Sequence, residues 1–553
     1  MNFLFVTPKY TYRGQAYDFY VGLAYVSSYM KHRGFNVFCL NTCHYDDPIE
    51  QQLSEYINNK QIDVICTGGM SLHFHKISAI LKAAKKIKTK IITVVGGAII
   101  TSDPRLALEN MQIDFGIIGE GEETMADLAD ALCNERDVNK VKGLAFFDKK
   151  NNLIITEHRE PISDLNALPI PDYEGFEYGY FVSMFAPTSH ILYYTISDEV
   201  RPASIIASRG CPFSCTFCYH PLKKYRQRSL DNVFREIDYL VERYDITVLT
   251  VMDELLAVKK ERMYEFAERI KKYNIKWILQ LRVSDVDEKV LKALKDSGAY
   301  LISYGIESLS NKILKSMQKK ITKAQIEKAL KLTRDAKITI QGNILFGDPE
   351  ETEETIKESM EWWLNHPEYG LNLVMIVTLP DAPIYRYAIA NGLIKNKLQY
   401  MKQGFPIINL TKLSDRRFKE IYKFVSNHEE DERYKGKVIY SKKEPEKRNG
   451  KNVFSIKIEC PECHNVSEYR NMLQYSLDKY FRVICRDCHA RFRVKTKECF
   501  SENYTLYNII FFNMIRAWRF FRDRCPGYPV AIRIFSKYPI IRLIYSKIIK
   551  WDY

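Results

Sequence analysis

Three cysteines stand in one short stretch, Cys211, Cys215 and Cys218, within SRGCPFSCTFCYHP. A Cys-x3-Cys-x2-Cys spacing brings three thiolates onto one tight loop. That is enough to hold three irons of a cubane cluster and leave the fourth iron open to an exogenous ligand. A structural cluster or a zinc site wants a fourth protein ligand, and His220 is the neighbour that could serve. Four more cysteines form two Cys-x2-Cys pairs, Cys460 with Cys463 and Cys485 with Cys488, separated by 21 residues. This spacing suits tetrahedral Zn²⁺, with an auxiliary iron–sulfur cluster as the alternative. The other six of the thirteen cysteines (Cys39, Cys43, Cys66, Cys133, Cys499 and Cys525) are scattered, as small buried hydrophobes are.

The elements around these groups read as α/β throughout. Residues 1–140 alternate apolar runs (NFLFVTP, NVFCLN, DVICTGG, IITVVGG, DFGIIGEG) with amphipathic stretches, the pattern of a doubly wound, Rossmann-like domain. The turns after these runs carry Gly68, Gly69 and Ser71, then Gly96 and Gly97, then Gly119, Glu120 and Gly121. Open sheets bind ligands at such strand ends, and glycine lets backbone approach a bulky ligand. Residues 141–200 are less regular and read as a linker. From 201 to 405 six βα units follow one another, a partial (β/α)6 barrel with chemistry expected at the C-terminal strand ends. The cysteine triad follows the first of these strands. Asp253 and Glu254 end the second, Arg282 the third and Glu307 the fourth, and Gly342 sits in the fifth. Residues 406–455 read as a charged connecting segment, 456–500 as a zinc-ribbon-like domain, and 501–553 as a basic aromatic tail.

Composition is that of a globular protein, 46% hydrophobic and 27% charged. A net charge of +14 permits an anionic partner without requiring one. Residues 1–8 read as a buried strand rather than a secretory leader. No run reaches the roughly 18 apolar residues that span a bilayer. The expected location is the cytoplasm. The tail interleaves aromatics with arginines, which suits contact with RNA, association with an anionic membrane surface, or helices packed on the body with arginines reaching outward.

CPFSCTFC resembles the cluster motif of the radical S-adenosylmethionine superfamily. The resemblance implies a [4Fe–4S] cluster on Cys211, Cys215 and Cys218, its open iron chelating the methionine amino and carboxylate groups. It places Phe217 against the adenine, Asp253 and Glu254 at the methionine amino group, and Glu307 at the ribose. Gly342 and the segment 342–351 (GNILFGDPEE) would line the adenine site, and Arg282 would pair with a carboxylate. The family's usual glycines are missing beside Asp253 and Glu254, and helix N-caps are the structural alternative for each acid.

VVGGAIITSDP followed by DFGIIGEGEET is similar to the cobalamin-binding domain that precedes the barrel in one large radical-enzyme subfamily. This implies cobalamin contacts from Gly69, Ser71, Gly96, Gly97, Gly119 and Glu120. That subfamily's Asp-x-His-x-x-Gly motif is absent; His32, His73 and His75 do not fit it, which leaves the cobalt's lower face open or water-bound. A generic nucleotide-type domain is the other reading. The resemblance covers about residues 1–400. It implies a methyltransferase acting on an unactivated carbon, with an electron donor such as flavodoxin or ferredoxin. Cyclisation, ring contraction or oxidation without methyl transfer stays open. So does, from another class, a binding or scaffold protein with a relict barrel. No residue specifies the substrate.

Overall fold

Five of the early apolar runs become parallel strands: β1 (Asn2–Thr7), β2 (Asn36–Asn41), β3 (Val64–Gly68), β4 (Ile92–Gly96) and β5 (Phe115–Ile117), in the order β2-β1-β3-β4-β5. A parallel strand covered on both faces reads as an uninterrupted apolar run. In β1, Phe3 and Phe5 pack with Ala24 and Met125 on one face, while Leu4 and Val6 pack with Leu53 and Ile80 on the other. The sheet does not end at residue 140. β6 (Leu144–Phe147) and β7 (Leu153–Ile155) extend it as an antiparallel hairpin. The expected linker therefore begins as sheet, and farther on it buries Tyr173, Phe176, Tyr178 and Phe181 in the main core.

The second sheet holds six strands: β8 (Pro202–Ile205), β11 (Val248–Val251), β12 (Lys276–Leu281), β13 (Ala299–Glu307), β14 (Thr339–Phe346) and β15 (Asn372–Met375). Every pairing in it is parallel, as a partial barrel requires. Between β8 and β11, β9 (Ser208–Arg209) and β10 (Arg226–Gln227) form a two-residue antiparallel stem. Helices start where side chains satisfy orphan amides. Ser229 accepts from the Asn232 amide ahead of the helix Leu230–Tyr244, and Thr322 with Gln325 forms a capping box for Lys323–Asp335.

The segment 406–455 is more than a connector. The helix Asp415–Asn427 buries Phe418, Ile421 and Val425 in the main core and turns its charges outward. β16 (Lys437–Lys443) is the edge of a three-stranded antiparallel sheet with β17 (Val453–Glu459) and β18 (Val466–Leu473). β19 (Phe481–Ile484) and β20 (Arg491–Val494) form a further hairpin.

The computed structural model describes residues 1–9, 17–185, 196–219, 222, 224–253, 256, 259–428, 435–448, 450–473 and 480–496. His220, Glu254, Cys499, Cys525 and the tail 501–553 lie outside the described residues. Nearly all of the described residues, within Met1–Tyr475 and Phe481–Val494, belong to one compact unit. Among the described residues no helix is long and apolar enough to cross a membrane.

Candidate active site

The cysteine loop grows from the β9–β10 stem, beyond the C-terminal end of the first barrel strand. Gly210 opens it with φ +81°, and a Cβ there would lie 2.4 Å from the Lys224 carbonyl oxygen, so only glycine fits. The Cys211 amide donates to the Leu222 carbonyl at 3.3 Å, and the Cys218 amide donates to the Cys215 carbonyl at 3.3 Å. The Thr216 amide donates to Met317 at 3.1 Å, and its carbonyl accepts from Ile384 at 2.9 Å, pinning the loop from two sides. Cys211 and Cys215 are buried and Cys218 is half-buried. Burial pushes the Cys215 thiol up, while Lys319 and Arg282 oppose that rise and favour the thiolate.

Around this loop the structure gathers several expected residues and two unexpected ones. Arg282 lies over the Phe213 ring at 3.5 Å and donates to the Lys319 carbonyl at 2.9 Å. Lys319 pairs with Glu307 at 2.9 Å, both 12% exposed, and lies 5.9 Å from the Phe217 ring centroid. Glu307 sits at φ +67°, a left-handed conformation that costs a non-glycine residue energy and clusters at functional sites. Phe213 and Lys319 carried no signal of their own in the sequence. Gly342 is tightly packed. A Cβ there would meet Ile306 Cδ1 at 2.5 Å, so the glycine makes room for a core side chain.

Asp253 ends the second barrel strand, 2% exposed. Its Oδ1 accepts from the Ala207 amide at 2.6 Å, and its Oδ2 is buried with no hydrogen-bond partner among the described residues. Burial pushes this carboxyl up to about 7. Asp253 faces a cavity of about 420 Å³ that it shares with the glycine turns of the first sheet. Gly69, Gly96, Gly97, Gly119 and Glu120 line one side, and Ser208, Gly210 and Asp253 line the other. At Gly97, with φ +85°, a Cβ would sit 2.9 Å from the Gly69 carbonyl oxygen, so two adjacent turns touch backbone to backbone. Ser71 is buried at the start of the Ser71–His73 turn and is not part of the lining. His73 Nδ1 accepts from the Met70 amide at 3.3 Å, and burial pushes its ring down to about 4, keeping it neutral.

Glu120 lines the same cavity with its carboxylate already held by protein groups. Its carboxylate is engaged by Arg209 at 2.9 Å, by Arg226 at 2.8 Å and by the Ile162 amide at 2.7 Å. It reaches the cavity only as part of the wall.

The four paired cysteines converge, with all four Sγ atoms within 4.8 Å of one another. Cys460 and Cys488 lie 3.7 Å apart, and Cys463 and Cys485 lie 3.6 Å apart. The two knuckles repeat one geometry. The Glu462 and Asp487 amides point at Cys460 and Cys485 sulfurs, both at 3.4 Å, an arrangement that favours thiolates. His464 and His489 take φ of +60° and +63° as each knuckle turns. The hairpin that carries Cys485 and Cys488 docks at the N-terminal ends of the barrel strands. Thr339, the first residue of β14, donates to the His489 carbonyl at 3.0 Å, and Arg491 donates to Gly370, just before β15, at 2.7 Å. This is the opposite end from the cysteine loop.

Two family models match the chain. Residues 205–362 match the radical SAM superfamily and residues 18–129 match the B12 binding domain. An uncharacterized methyltransferase of Pyrococcus horikoshii is 28% identical over 68% of this chain and 79% of its own length. An anaerobic magnesium-protoporphyrin IX monomethyl ester cyclase of Rubrivivax gelatinosus is 28% identical over 61% of this chain and 60% of its own length. Among solved structures, the radical S-adenosylmethionine methyltransferase TsrM from Kitasatospora setae, with cobalamin and a [4Fe-4S] cluster bound, aligns with TM-score 0.58 at 18% identity. That match covers 71% of this chain and 75% of the other. The cobalamin-dependent S-adenosylmethionine radical enzyme OxsB aligns with TM-score 0.56 at 18% identity over 78% of this chain and 61% of its own. At that identity these likenesses carry the fold.

Proposed function

We propose that this chain, which carries radical SAM superfamily and B12 binding domains, works as a cobalamin-dependent radical S-adenosylmethionine enzyme and methylates an unactivated carbon of its substrate. When bound, a [4Fe–4S] cluster supplies the electron that cleaves S-adenosylmethionine to a 5′-deoxyadenosyl radical, and cobalamin supplies the methyl group. The observation that carries this reading is the shared cavity. The glycine turns of the first sheet and the stem of the cysteine loop face each other across it, so a hydrogen-abstracting radical and a methyl donor can be held against one substrate carbon.

Cys211, Cys215 and Cys218 hold the cluster in this reading. Phe217, Arg282 and Glu307, joined by Lys319 and Phe213, bind S-adenosylmethionine. The half-buried cations and the left-handed Glu307 suit a ligand with both a carboxylate and a hydroxylated sugar. Gly69, Gly96, Gly97 and Gly119 cradle the corrin, since each lines the cavity without a side chain of its own. Asp253, held at Oδ1 by the Ala207 amide, offers its buried Oδ2 to a donor on a bound group. Cys460, Cys463, Cys485 and Cys488 hold structural Zn²⁺, four thiolates leaving no open coordination position. An electron donor such as flavodoxin or ferredoxin completes the system.

Anaerobic reconstitution with iron, sulfide, cobalamin and S-adenosylmethionine tests the reading. We expect charge-transfer absorbance of the cluster, bound cobalamin and formation of 5′-deoxyadenosine, all cluster signals lost in a Cys211/Cys215/Cys218→Ala variant. Absence of 5′-deoxyadenosine from the loaded wild type would sink it. The cyclase relatives favour a second outcome, ring closure without methyl transfer. Substrate-dependent 5′-deoxyadenosine with no methylated product would select it.

A further inference from the structure

Two arginines flank the cysteine loop at its base. Arg209 and Arg226 face each other across the antiparallel stem, and Arg209 lies two residues before Cys211. Both guanidiniums cross to the turn after β5 in the first sheet. Arg209 bridges two carboxylates, Nη1 to Glu120 at 2.9 Å and Nη2 to Glu122 at 2.6 Å. Arg226 Nη1 meets the other oxygen of Glu120 at 2.8 Å and also donates to the Ile162 carbonyl at 2.5 Å. The four side chains are between 4% and 14% exposed. Tyr25 lies under Arg209, 5.0 Å from the guanidinium to the ring centroid. The turn so gripped lines the cavity, and so does Arg209.

Holding two domains together does not require this arrangement. Two buried cations against two buried carboxylates contribute little net stability, because desolvation offsets attraction, and apolar side chains of similar volume pack as well. A guanidinium bridge adds a fixed distance and a fixed angle, which lysine or apolar contact does not provide. Its two ends are the wall of the cavity and the stem of the cysteine loop.

We propose that Glu120, Glu122, Arg209 and Arg226 form an ionic clamp that sets the spacing between the corrin wall and the cluster loop. Arg209 and Arg226 are then positioning residues that couple radical formation to methyl delivery. This rests on the function proposed above. A domain held at the wrong distance still allows S-adenosylmethionine cleavage but delivers methyl late, so the substrate radical instead takes one electron from the electron donor and one proton from solvent and returns to unmethylated substrate. The clamp also accounts for Glu120, whose carboxylate its partners occupy fully.

The test uses the holoenzyme and Arg209→Lys, with Glu122→Gln as the second variant should the first fail to fold. Pulsed paramagnetic resonance reads the coupling between Co(II) of bound cobalamin and the reduced cluster, without turnover. We expect one narrow distance in the wild type and a broadened distribution in either variant. We also expect 5′-deoxyadenosine per methylated product to rise several-fold while iron and cobalt content per chain stay the same. An unchanged distance and an unchanged ratio in a fully loaded variant overturn the clamp and leave the enzyme reading standing. So does a variant whose coupling falls only in proportion to lost cofactor, since domain packing alone explains that. A wild type that carries neither paramagnetic centre overturns the function instead, and the clamp with it.

Discussion

Two glycine-to-alanine substitutions in the cavity wall separate a folding role from a binding role. Gly97 and Gly119 both have left-handed φ, +85° and +80°. Alanine costs about 1–2 kcal/mol at the left-handed φ of Gly119 and about 1–3 kcal/mol at Gly97, whose ψ of −167° lies in a region nearly confined to glycine. Their surroundings differ. A Cβ at Gly97 meets the Gly69 carbonyl oxygen at 2.9 Å and its nitrogen at 3.0 Å, while a Cβ at Gly119 has no atom within 4 Å. Backbone cannot rotate away as a side chain can, so Gly97→Ala adds an overpacking cost and totals about 2–6 kcal/mol. Gly119→Ala carries the conformational cost alone, a shift of about 2–8 °C in the melting of a domain of 150–250 residues. Its methyl stands instead in the cavity. A ligand packed there loses about 1–3 kcal/mol, or roughly 5- to 150-fold in Kd. Differential scanning fluorimetry and spectral titration with hydroxocobalamin read the two effects. The reasoning fails if Gly119→Ala binds cobalamin as the wild type does, or if Gly97→Ala melts no lower than Gly119→Ala.

Three other outcomes follow from the geometry. Purified protein should hold one Zn²⁺ per chain by elemental analysis, and Co²⁺ exchanged into Cys460, Cys463, Cys485 and Cys488 should show tetrahedral d–d bands; Cys463→Ser should lose both without changing the iron content, because the hairpin that carries Cys485 and Cys488 docks at the far end of the barrel strands. Asp253, its carboxyl raised from 3.8 to about 7 by burial, binds its proton more tightly folded than unfolded. Its presence therefore lowers stability progressively from about pH 4 to pH 7 and fully above that, so the melting advantage of cofactor-free Asp253→Asn over wild type should grow across that window; a pH-independent difference would contradict the burial argument. Glu351, pushed up to about 8 by burial, is largely protonated at neutral pH and accepts from the Gly347 amide at 2.7 Å. Glu351→Gln should change stability by less than about 1 kcal/mol, whereas Glu351→Ala leaves that amide unsatisfied and should cost about 1–3 kcal/mol in urea unfolding.

What could be read from the sequence follows how locally each feature is determined. The parallel strands were legible because burial on both faces makes each one an uninterrupted apolar run, and five such runs in the first domain and six in the barrel all formed strands. The cysteine loop and the two knuckles were legible because their ligands are neighbours in the chain. The hairpin at 144–155 and the helix Asp415–Asn427 were not, for opposite reasons. The first is short, with a polar turn. The second hides three buried positions, Phe418, Ile421 and Val425, in a background of charge. Lys319 entered the site unseen because it pairs with Glu307 across a loop and an intervening helix, with no motif around it.

Glu120 shows the physical limit most clearly. A carboxylate in a glycine-rich turn at a strand end reads as a ligand-binding group when only its neighbours in sequence are visible. Its partners Arg209 and Arg226 lie 89 and 106 residues away. Burial of the Glu120 carboxyl would raise its pKa, and the hydrogen bonds and charges of those two arginines hold it below the ordinary value. An ionised group buried so deeply needs a compensating charge in the protein before any ligand arrives, because an apoprotein with a bare buried carboxylate would protonate it or open to water. The same reasoning separates Asp253 from Glu120, although both line one cavity. Glu120 has its cations and is finished as a binding group, whereas Asp253 keeps one buried oxygen without a partner and a raised pKa. Of the two acids, Asp253 is therefore the one with a buried oxygen still open to a hydrogen-bond donor.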